Sequence, residues 1–240
     1  MLPQRINLIA YSTLAVIICY IDRVNISVAI IPMQEQFGWS DSQVGFIFSS
    51  FYLGYMLTMA LGGYLSDKFG GKRVLGWGVV LWSIFTILTP LAAHNGFFAL
   101  FVIRILMGIG EGVTFPAWHS LYARWIPFNE RTRAIAFTNS GVSIGTIIGY
   151  IGTQMIILAM GWEWAFYIFG IVGLVWFIFW NRNVTSYPNE HKRISAEELA
   201  YIQENAPSSE PAKKIPLRQL LVNKPFLAIV AATFANNWSL

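Results

Sequence analysis

The chain has little charge and almost no cysteine. Of its 240 residues, 12% are Asp, Glu, Lys or Arg, whereas soluble domains carry about 25%. Cys19 is the single cysteine, which excludes a disulfide within the chain, and the three histidines lie too far apart in sequence to indicate a zinc cluster. No metal site is therefore predicted. Hydrophobic residues make up 55% of the chain and the mean hydropathy is +0.53, which excludes a soluble globular fold.

Six apolar stretches are each long enough to cross a membrane. The hydrocarbon core of a bilayer requires about 20 residues of helix. The six stretches are Leu8–Ile31, Val44–Leu65, Val74–Ala93, Phe97–His119, Ala134–Met160 and Trp164–Trp180. A seventh begins at Phe226 and continues to the last residue, Leu240. The sequence therefore predicts an all-α integral membrane protein with six transmembrane helices and the start of helix seven.

The basic residues lie almost entirely on one side of these spans. Fourteen of the sixteen Lys and Arg residues precede the first span or fall in the loops after the second, fourth and sixth spans. The opposite loops carry none and contain the acids Glu35, Asp41 and Glu163. Because cytoplasmic loops of membrane proteins collect Lys and Arg, the amino terminus is predicted to be cytoplasmic. The expected location is the inner membrane of the cell, and no nucleic-acid partner is expected.

The segment between the sixth and seventh stretches differs in composition from the rest of the chain. Residues 182–224 are charged and contain four prolines. Ser195, followed three residues later by Glu198, forms the pattern of a helix capping box. The predicted organisation is a six-helix transmembrane unit over residues 1–181, a cytoplasmic central loop over residues 182–224 and a truncated seventh transmembrane helix over residues 225–240.

Four charged residues fall inside the predicted spans. They are Asp22 and Arg23 in the first span and Arg104 and Glu111 in the fourth. Charge inside a bilayer is costly, so such residues commonly mark a functional cavity. Arg104 and Glu111 are seven residues apart, which is two helical turns and places them on one helix face. The alternative is that the four residues only bridge helices.

Two glycine patterns are assigned to helix packing. The sets are Gly108, Gly110 and Gly112 in the fourth span and Gly141, Gly145 and Gly149 in the fifth. The first set follows no strand, so it does not indicate a dinucleotide-binding loop. The second set repeats every four residues and predicts a face for close approach of another helix. The sequence contains no phosphate-binding loop motif, and ATP hydrolysis is not expected.

The loop after the second span carries a motif. Residues 63–73 read Gly-Tyr-Leu-Ser-Asp-Lys-Phe-Gly-Gly-Lys-Arg. This string resembles the signature G-x-L-[AS]-D-[RK]-x-G-[GR]-[RK]-[RK] of the major facilitator superfamily, and it lies in the same loop as in that family. The resemblance implies the N-terminal half of a facilitator fold, built from two three-helix repeats. It also implies that charge pairs between helices give a conformational gating role to Asp67, Lys68, Lys72 and Arg73.

Three further strings narrow the resemblance. They are Tyr20-Ile21-Asp22-Arg23-Val24-Asn25, Arg104-x-x-x-Gly108-x-Gly110-Glu111 and Trp125-x-x-x-x-Glu130-Arg131. These look like the anion:cation symporter family, which includes carriers of sugar acids, sialic acid, phosphate and glutamate. In that family the arginines matching Arg23 and Arg104 bind the substrate carboxylate, and the acids matching Asp22 and Glu111 couple transport to protons. The other positions that the resemblance assigns are Tyr20, Tyr55, Asn139, Ser140 and Asn237 for substrate binding, and Glu130 and Arg131 for gating.

Departures from the family pattern bear on the substrate. Glutamate carriers have an arginine where this chain has Asn236, and they lack an acid at the position of Asp22, which disfavours glutamate. Asn237 instead resembles the sugar-acid, sialic acid and plastid phosphate carriers. Galactonate carriers have a glutamine where this chain has Gly141 and Val142, which disfavours galactonate.

The expected function is secondary active transport, as proton-coupled symport of an organic anion such as a hexonate, hexuronate or aldarate into the cell. The four intramembrane charges sum to zero, so we expect each carboxylate to pair with an arginine and to release it on protonation. Neither an enzyme activity nor a cofactor besides the coupling proton is expected. The expected partners are a small carboxylate-bearing anion, the lipid bilayer and a C-terminal half of the same protein. The alternatives are sodium-coupled transport of inorganic phosphate and a non-transporting receptor or partner subunit.

Overall fold

The computed structural model describes residues 3–205, apart from the side chain of residue 60, and residues 223, 225, 227 and 228. The helices within residues 3–205 are α1 (Gln4–Phe37), α2 (Asp41–Phe69), α3 (Gly71–His94), α4 (Phe97–Glu111), α5 (Thr114–Trp125), α6 (Phe128–Met160), α7 (Trp162–Asn183), a 3-10 turn (Pro188–Glu190) and α8 (Ala196–Asn205). Five of the six predicted spans are long, apolar helices, with α4 and α5 together forming the fourth. The second span, α2, is bent by 48° between Met59 and Leu61 and makes the sixth when its two parts are counted as one span. The predicted seventh helix and Asn237 lie outside the described residues, apart from residues 225, 227 and 228.

The helices extend beyond the apolar stretches because the flanking residues cap them. The hydroxyl of Ser40 accepts a hydrogen bond from the backbone N–H of Gln43 at 3.3 Å, and the Gln43 side chain accepts one from the Ser40 N–H at 2.9 Å. This reciprocal pair satisfies two N–H groups at the start of α2. α1 ends at Phe37, and the following residue, Gly38, has a φ of 65°, a conformation that glycine adopts without strain.

The fourth span is broken after Glu111. α4 ends there, and Gly112 and Val113 separate it from α5. A methyl group on Gly112 would collide with Thr58 and Tyr55 of α2, so the break lies at a close crossing of the two helices. As a result, Glu111 sits at the last position of a helix inside the membrane-spanning unit.

The helix pairs follow a repeat of three spans. α1 packs along α6, and α2 packs along α4, while α3 contacts both α4 and α7. In a repeat of three spans, spans one, two and three correspond to spans four, five and six. The contact of span one (α1) with span five (α6) then corresponds to the contact of span four (α4) with span two (α2). The described helices therefore have the two three-helix repeats expected from the sequence.

The predicted glycine packing faces are confirmed. A methyl group on Gly145 of α6 would collide with the backbone oxygen of Ile17 in α1. One on Gly108 of α4 would collide with the backbone oxygen of Phe51 in α2. Each glycine therefore allows two helix backbones to approach more closely than any larger residue permits.

The first part of the central loop packs against the transmembrane helices. Val184 is 3% exposed and Ile202 of α8 is 1% exposed, and both belong to a buried cluster that also contains Leu8 of α1. These residues form part of one compact unit, Met1–Pro207. The loop segment up to residue 205 is therefore folded onto the helices.

The capping-box prediction is confirmed for Ser195 and wrong for Glu198. The Ser195 hydroxyl accepts a hydrogen bond from the Glu198 N–H at 3.1 Å. The Glu198 carboxylate instead accepts hydrogen bonds from the backbone N–H groups of Gln4 and Arg5, at 2.9 and 3.0 Å. The first N–H groups of a helix lack partners within the helix, and Pro3 supplies no side-chain cap. Glu198 of α8 therefore caps α1.

Replacing Glu198 by glutamine is expected to loosen the start of α1 and α8 together. The variant loses a negative charge at a helix N-terminus and beside the Arg5 guanidinium, which together contribute about 1–2 kcal/mol. Hydrogen exchange should become faster at the amides of Gln4 and Arg5 and in α8. Glu197→Gln, an exposed site one residue away, is the matched control. Equal exchange rates in the two variants would contradict the assignment.

Candidate functional site

An ion pair joins α1 and α4 in the interior of the unit. The Arg23 Nη2 and Nε atoms donate to Glu111 Oε2 at 2.9 and 3.2 Å. The Cys19 thiol donates to the same oxygen at 3.2 Å. The Glu111 side chain is fully buried, whereas that of Arg23 is 17% exposed. Arg23 is thus the member of the pair that reaches solvent.

Aromatic rings surround the Arg23 guanidinium. Its Cζ atom lies 4.8 Å from the ring centroids of both Tyr20 and Tyr55 and 5.1 Å from that of Phe51. The ring faces attract the cation, and a planar guanidinium can in addition stack on a ring, which an ammonium cannot. The structure therefore brings Tyr20 and Tyr55 together with Arg23, as the sequence predicts.

Arg104 is buried without a carboxylate partner in the described part of the chain. Arg104 is 2% exposed, and its Cζ atom lies 5.0 Å from the ring centroid of Phe51. Nη1 donates to the Met107 sulfur at 3.2 Å, and Nε has no hydrogen-bond partner. Glu111 and Asp22 act on Arg104 only at longer range, and its unpartnered Nε leaves a buried donor available to a bound anion.

Asp22 faces α3. Its Oδ2 atom accepts a hydrogen bond from the indole N–H of Trp82 at 3.0 Å, and Oδ1 has no partner. The expectation that each carboxylate pairs with an arginine is therefore wrong for Asp22. The reason is helix geometry, because adjacent residues point about 100° apart. With Arg23 directed at Glu111 of α4, Asp22 is turned toward a different helix.

The remaining substrate-binding candidates form no hydrogen bond with this cluster or lie outside the described residues. Asn139 and Ser140 are exposed on α6, and the Ser140 hydroxyl donates to the carbonyl of Phe137 in its own helix at 2.7 Å. No hydrogen bond within the described residues joins either of them to Arg23. Their assignment to substrate binding, like that of Asn237, stays a prediction.

The gating candidates that the sequence places in a loop lie within helices, because only Gly70 separates α2 from α3. Asp67 and Lys68 are near the end of α2, Lys72 and Arg73 are in the first turn of α3, and their contacts reach two other helices. The Asp67 carboxylate lies 3.9 Å from Arg124 of α5 and accepts a hydrogen bond from Ser120 at 3.4 Å. The Lys72 ammonium donates to the carbonyl of Asn181 in α7 at 3.0 Å. The two other basic residues are exposed. They are Lys68, which lies over the Tyr64 and Phe69 rings of its own helix, and Arg73.

The other two gating candidates have different partners. The Glu130 carboxylate pairs with Arg5 of α1 at 2.8 Å and accepts a hydrogen bond from the Tyr201 hydroxyl of α8 at 3.2 Å. Arg131 donates to the backbone carbonyls of Ala123 and Ile126, both at 3.3 Å. Glu130 thus joins the starts of α1 and α6 to the folded part of the central loop.

Four site residues are absent from the sequence prediction. They are Cys19, Phe51, Trp82 and Met107. Phe51 stands four residues before Tyr55, and Cys19 stands four residues before Arg23, so helical spacing places each on the predicted face. No local pattern marks Trp82, because its contact with Asp22 depends on how α1 and α3 are rotated about their axes.

The positive charge of this site comes from Arg23 and Arg104, which both contact the buried ring of Phe51. Glu111 balances Arg23, and nothing in the described residues forms an ion pair with Arg104. No group of three or more His, Cys, Asp or Glu side chains able to hold a metal is found in this part of the chain. The arrangement is suited to an anion that brings its own negative charge.

Comparison with characterised sequences places the chain among transporters. It is 44% identical over 236 residues to the probable anion transporter 4, chloroplastic, of Oryza sativa subsp. japonica, covering 98% of this chain and 40% of that protein. It is 42% identical to the sodium-dependent phosphate transport protein 1, chloroplastic, and 42% identical to the ascorbate transporter, chloroplastic, both of Arabidopsis thaliana. These matches cover 98% of this chain and 46% and 44% of those proteins. The chain spans about half the length of these relatives.

Solved structures share the fold. The proton:xylose symporter XylE superposes with a TM-score of 0.70 at 20% identity, over 84% of this chain and 49% of that one. A bacterial homologue of the human lysosomal transporter Spinster gives a TM-score of 0.67 at 24% identity, over 78% and 46% of the two chains. The sequence profile of the Major Facilitator Superfamily matches residues 12–240. With six spans in two three-helix repeats, this chain belongs to the Major Facilitator Superfamily and has the fold of its N-terminal half.

Proposed function

We propose that the protein containing this chain carries out proton-coupled symport of an organic anion. The observation that supports this most directly is the charge of the site. Arg104 is buried without a carboxylate beside the Arg23–Glu111 ion pair. A permanent buried cation attracts an anion, and a carboxylate held by an arginine offers a place where a proton can be exchanged for that anion.

The proposed exchange starts at Glu111. A proton from outside binds the Glu111 carboxylate, which breaks its ion pair with Arg23 and leaves the guanidinium free. Arg23, the partly exposed member of the pair, then donates two hydrogen bonds to a carboxylate of the substrate. The substrate supplies the negative charge that Glu111 has lost. The proton and the anion therefore enter together and leave together on the other side.

Rings beside Arg23 favour a substrate with a carbon skeleton. Tyr20, Tyr55 and Phe51 present their faces to the guanidinium. The hydroxyl-bearing tyrosines suit a polyhydroxylated acid such as a hexonate, hexuronate or aldarate. A relative named as an ascorbate transporter fits this class, because ascorbate is itself an organic anion derived from a sugar.

The second candidate is sodium-coupled transport of inorganic phosphate. One relative with 42% identity is named a sodium-dependent phosphate transport protein, and two arginines are suited to phosphate as well as to carboxylate. This candidate differs from the first in the ion that drives uptake, sodium in place of the proton, and in the substrate, phosphate in place of an organic anion.

Uptake by the complete protein tests both candidates. Because the relatives are about twice as long, the coding DNA after the codon for Leu240 is read first. Proteoliposomes then receive an inward proton gradient without sodium, or an inward sodium gradient at equal pH. A proton gradient is expected to drive uptake of a labelled sugar acid, with collapse by a protonophore. Phosphate uptake driven by sodium alone would favour the second candidate. A genuine stop codon after Leu240 would favour the receptor or partner subunit.

The membrane and the orientation also belong to the proposal. The basic loops are expected on the cytoplasmic face by the distribution of Lys and Arg. The relatives described above are all named chloroplastic, which favours a plastid membrane over the inner membrane of the cell. A fluorescent fusion to the complete protein distinguishes the two membranes.

A further inference from the structure

Trp82 is buried at the point where α3 faces the Asp22 carboxyl group. Its residue is 0% exposed, and its indole N–H donates to Asp22 Oδ2 at 3.0 Å. The proposed proton exchange does not use this indole. Trp82 is nevertheless the hydrogen-bond donor that the described structure provides for Asp22.

The backbone of Trp82 packs tightly against α4. A methyl group on Gly110 of α4 would collide with the backbone nitrogen and the Cβ atom of Trp82. The carbonyl of Trp82 accepts a hydrogen bond from the Thr86 hydroxyl at 2.9 Å. α3 and α4 are therefore in backbone contact at this residue, and because the side chain is fully buried the indole has little room to turn away from Asp22.

The charged groups near Asp22 come from α1 and α4. Arg104 and Glu111 of α4 act on it at longer range, and neither forms an ion pair with it. Arg23 and Cys19, on α1 itself, are directed at Glu111. α3 contributes the neutral indole. The immediate surroundings of the carboxyl are therefore set by one N–H group.

We propose that Trp82 is a positioning residue for Asp22, whose N–H group orients the carboxyl and sets the pH at which this acid exchanges its proton during transport. The inference rests on the proposed proton-coupled function. An N–H donor binds a carboxylate more strongly than it binds a neutral carboxylic acid. Removal of the donor therefore favours the protonated acid and lets it form at higher pH.

Trp82→Phe in the complete protein tests the role, with Trp118→Phe as the matched control. Trp118 is also 0% exposed, and its indole N–H has no hydrogen-bond partner. Both variants lose the same atoms from a buried ring. The pH of half-maximal uptake is expected to move toward alkaline values by about one unit in Trp82→Phe and to stay at the wild-type value in Trp118→Phe. Equal profiles in the two variants would overturn the proposal.

A readout without substrate separates this inference from the proposed function. The infrared carboxyl band that titrates in the wild type and is absent in Asp22→Asn is followed against pH. The midpoint of this titration is expected to shift in Trp82→Phe and to stay unchanged in Trp118→Phe. An unshifted midpoint in Trp82→Phe would contradict the role of Trp82, whether or not uptake is driven by protons. Absence of proton-driven uptake in the wild type would refute only the proposed function.

A measurement on the wild type remains decisive if Trp82→Phe does not fold. Ultraviolet resonance Raman spectroscopy reports the hydrogen bonding of indole N–H groups. A tryptophan band that changes with pH in the wild type, and does not change in Asp22→Asn, is the expected result. A tryptophan spectrum that is independent of pH while Asp22 titrates would overturn the proposal.

Discussion

Arg104→Lys is expected to reduce uptake by about a hundredfold in the complete protein. The guanidinium has its Cζ atom 5.0 Å from the Phe51 ring centroid, donates to the Met107 sulfur and keeps Nε without a partner. A lysine keeps the positive charge and loses the planar set of donors. Hydrogen bonds to charged groups contribute about 1.5–3 kcal/mol, which corresponds to one or two factors of ten in rate.

Arg182→Lys is the control for this substitution. Arg182 is an exposed arginine at the end of α7, and the same change there is expected to leave uptake at the wild-type level. Uptake rates are compared after correction for the amount of protein in the membrane. An Arg104→Lys variant that retains half of the wild-type kcat/KM would show that the site needs only a charge at this position.

The membrane spans were predictable because their signals are local. Each span is a run of apolar residues about as long as the bilayer core is thick, and the loops on one side collect the basic residues. Such signals are read along the chain without knowledge of which helices are neighbours. The broken fourth span was not predicted, because Gly112 has ordinary helical backbone angles and no proline stands at the break itself.

For contacts between helices, the sequence predicts which residues share a helix face but not which residues they contact. Helical spacing correctly places Tyr20 on the face of Arg23 and Arg104 on the face of Glu111. It does not state which helix each face meets, and that choice decides the chemistry. The bond from Trp82 to Asp22 spans 60 residues, and the bond from Gln4 to Glu198 spans 194. Both depend on helix rotation and packing that no short window of sequence contains.

Phe51 connects the two arginines of the site. Its ring centroid lies 5.1 Å from the Arg23 Cζ atom and 5.0 Å from that of Arg104, and its residue is 1% exposed. The ring offers each of the two cations a favourable contact. The close approach of α2 and α4 at Gly108 holds the ring in this position.

Glu111→Gln is expected to abolish accumulation of substrate driven by a proton gradient while leaving exchange across the membrane. In the wild type Glu111 Oε2 accepts from Arg23 at 2.9 Å and from Cys19 at 3.2 Å. Glutamine has nearly the same shape and keeps one carbonyl acceptor, but it carries no charge and cannot take up a proton. Arg23 is then permanently available to the anion, and binding no longer requires a proton.

The two transport modes separate this explanation from general damage to the site. The accumulation ratio under an inward proton gradient should fall to about one, while exchange of labelled for unlabelled substrate continues at a tenth or more of the wild-type rate. Glu35→Gln, an exposed acid near the end of α1, should retain both modes. Loss of both modes in Glu111→Gln would assign the carboxylate to binding or folding, and unchanged accumulation would remove it from proton coupling. Retention of exchange alone is the outcome that follows when Glu111 links the proton to the anion, whether or not Asp22 takes up a second proton.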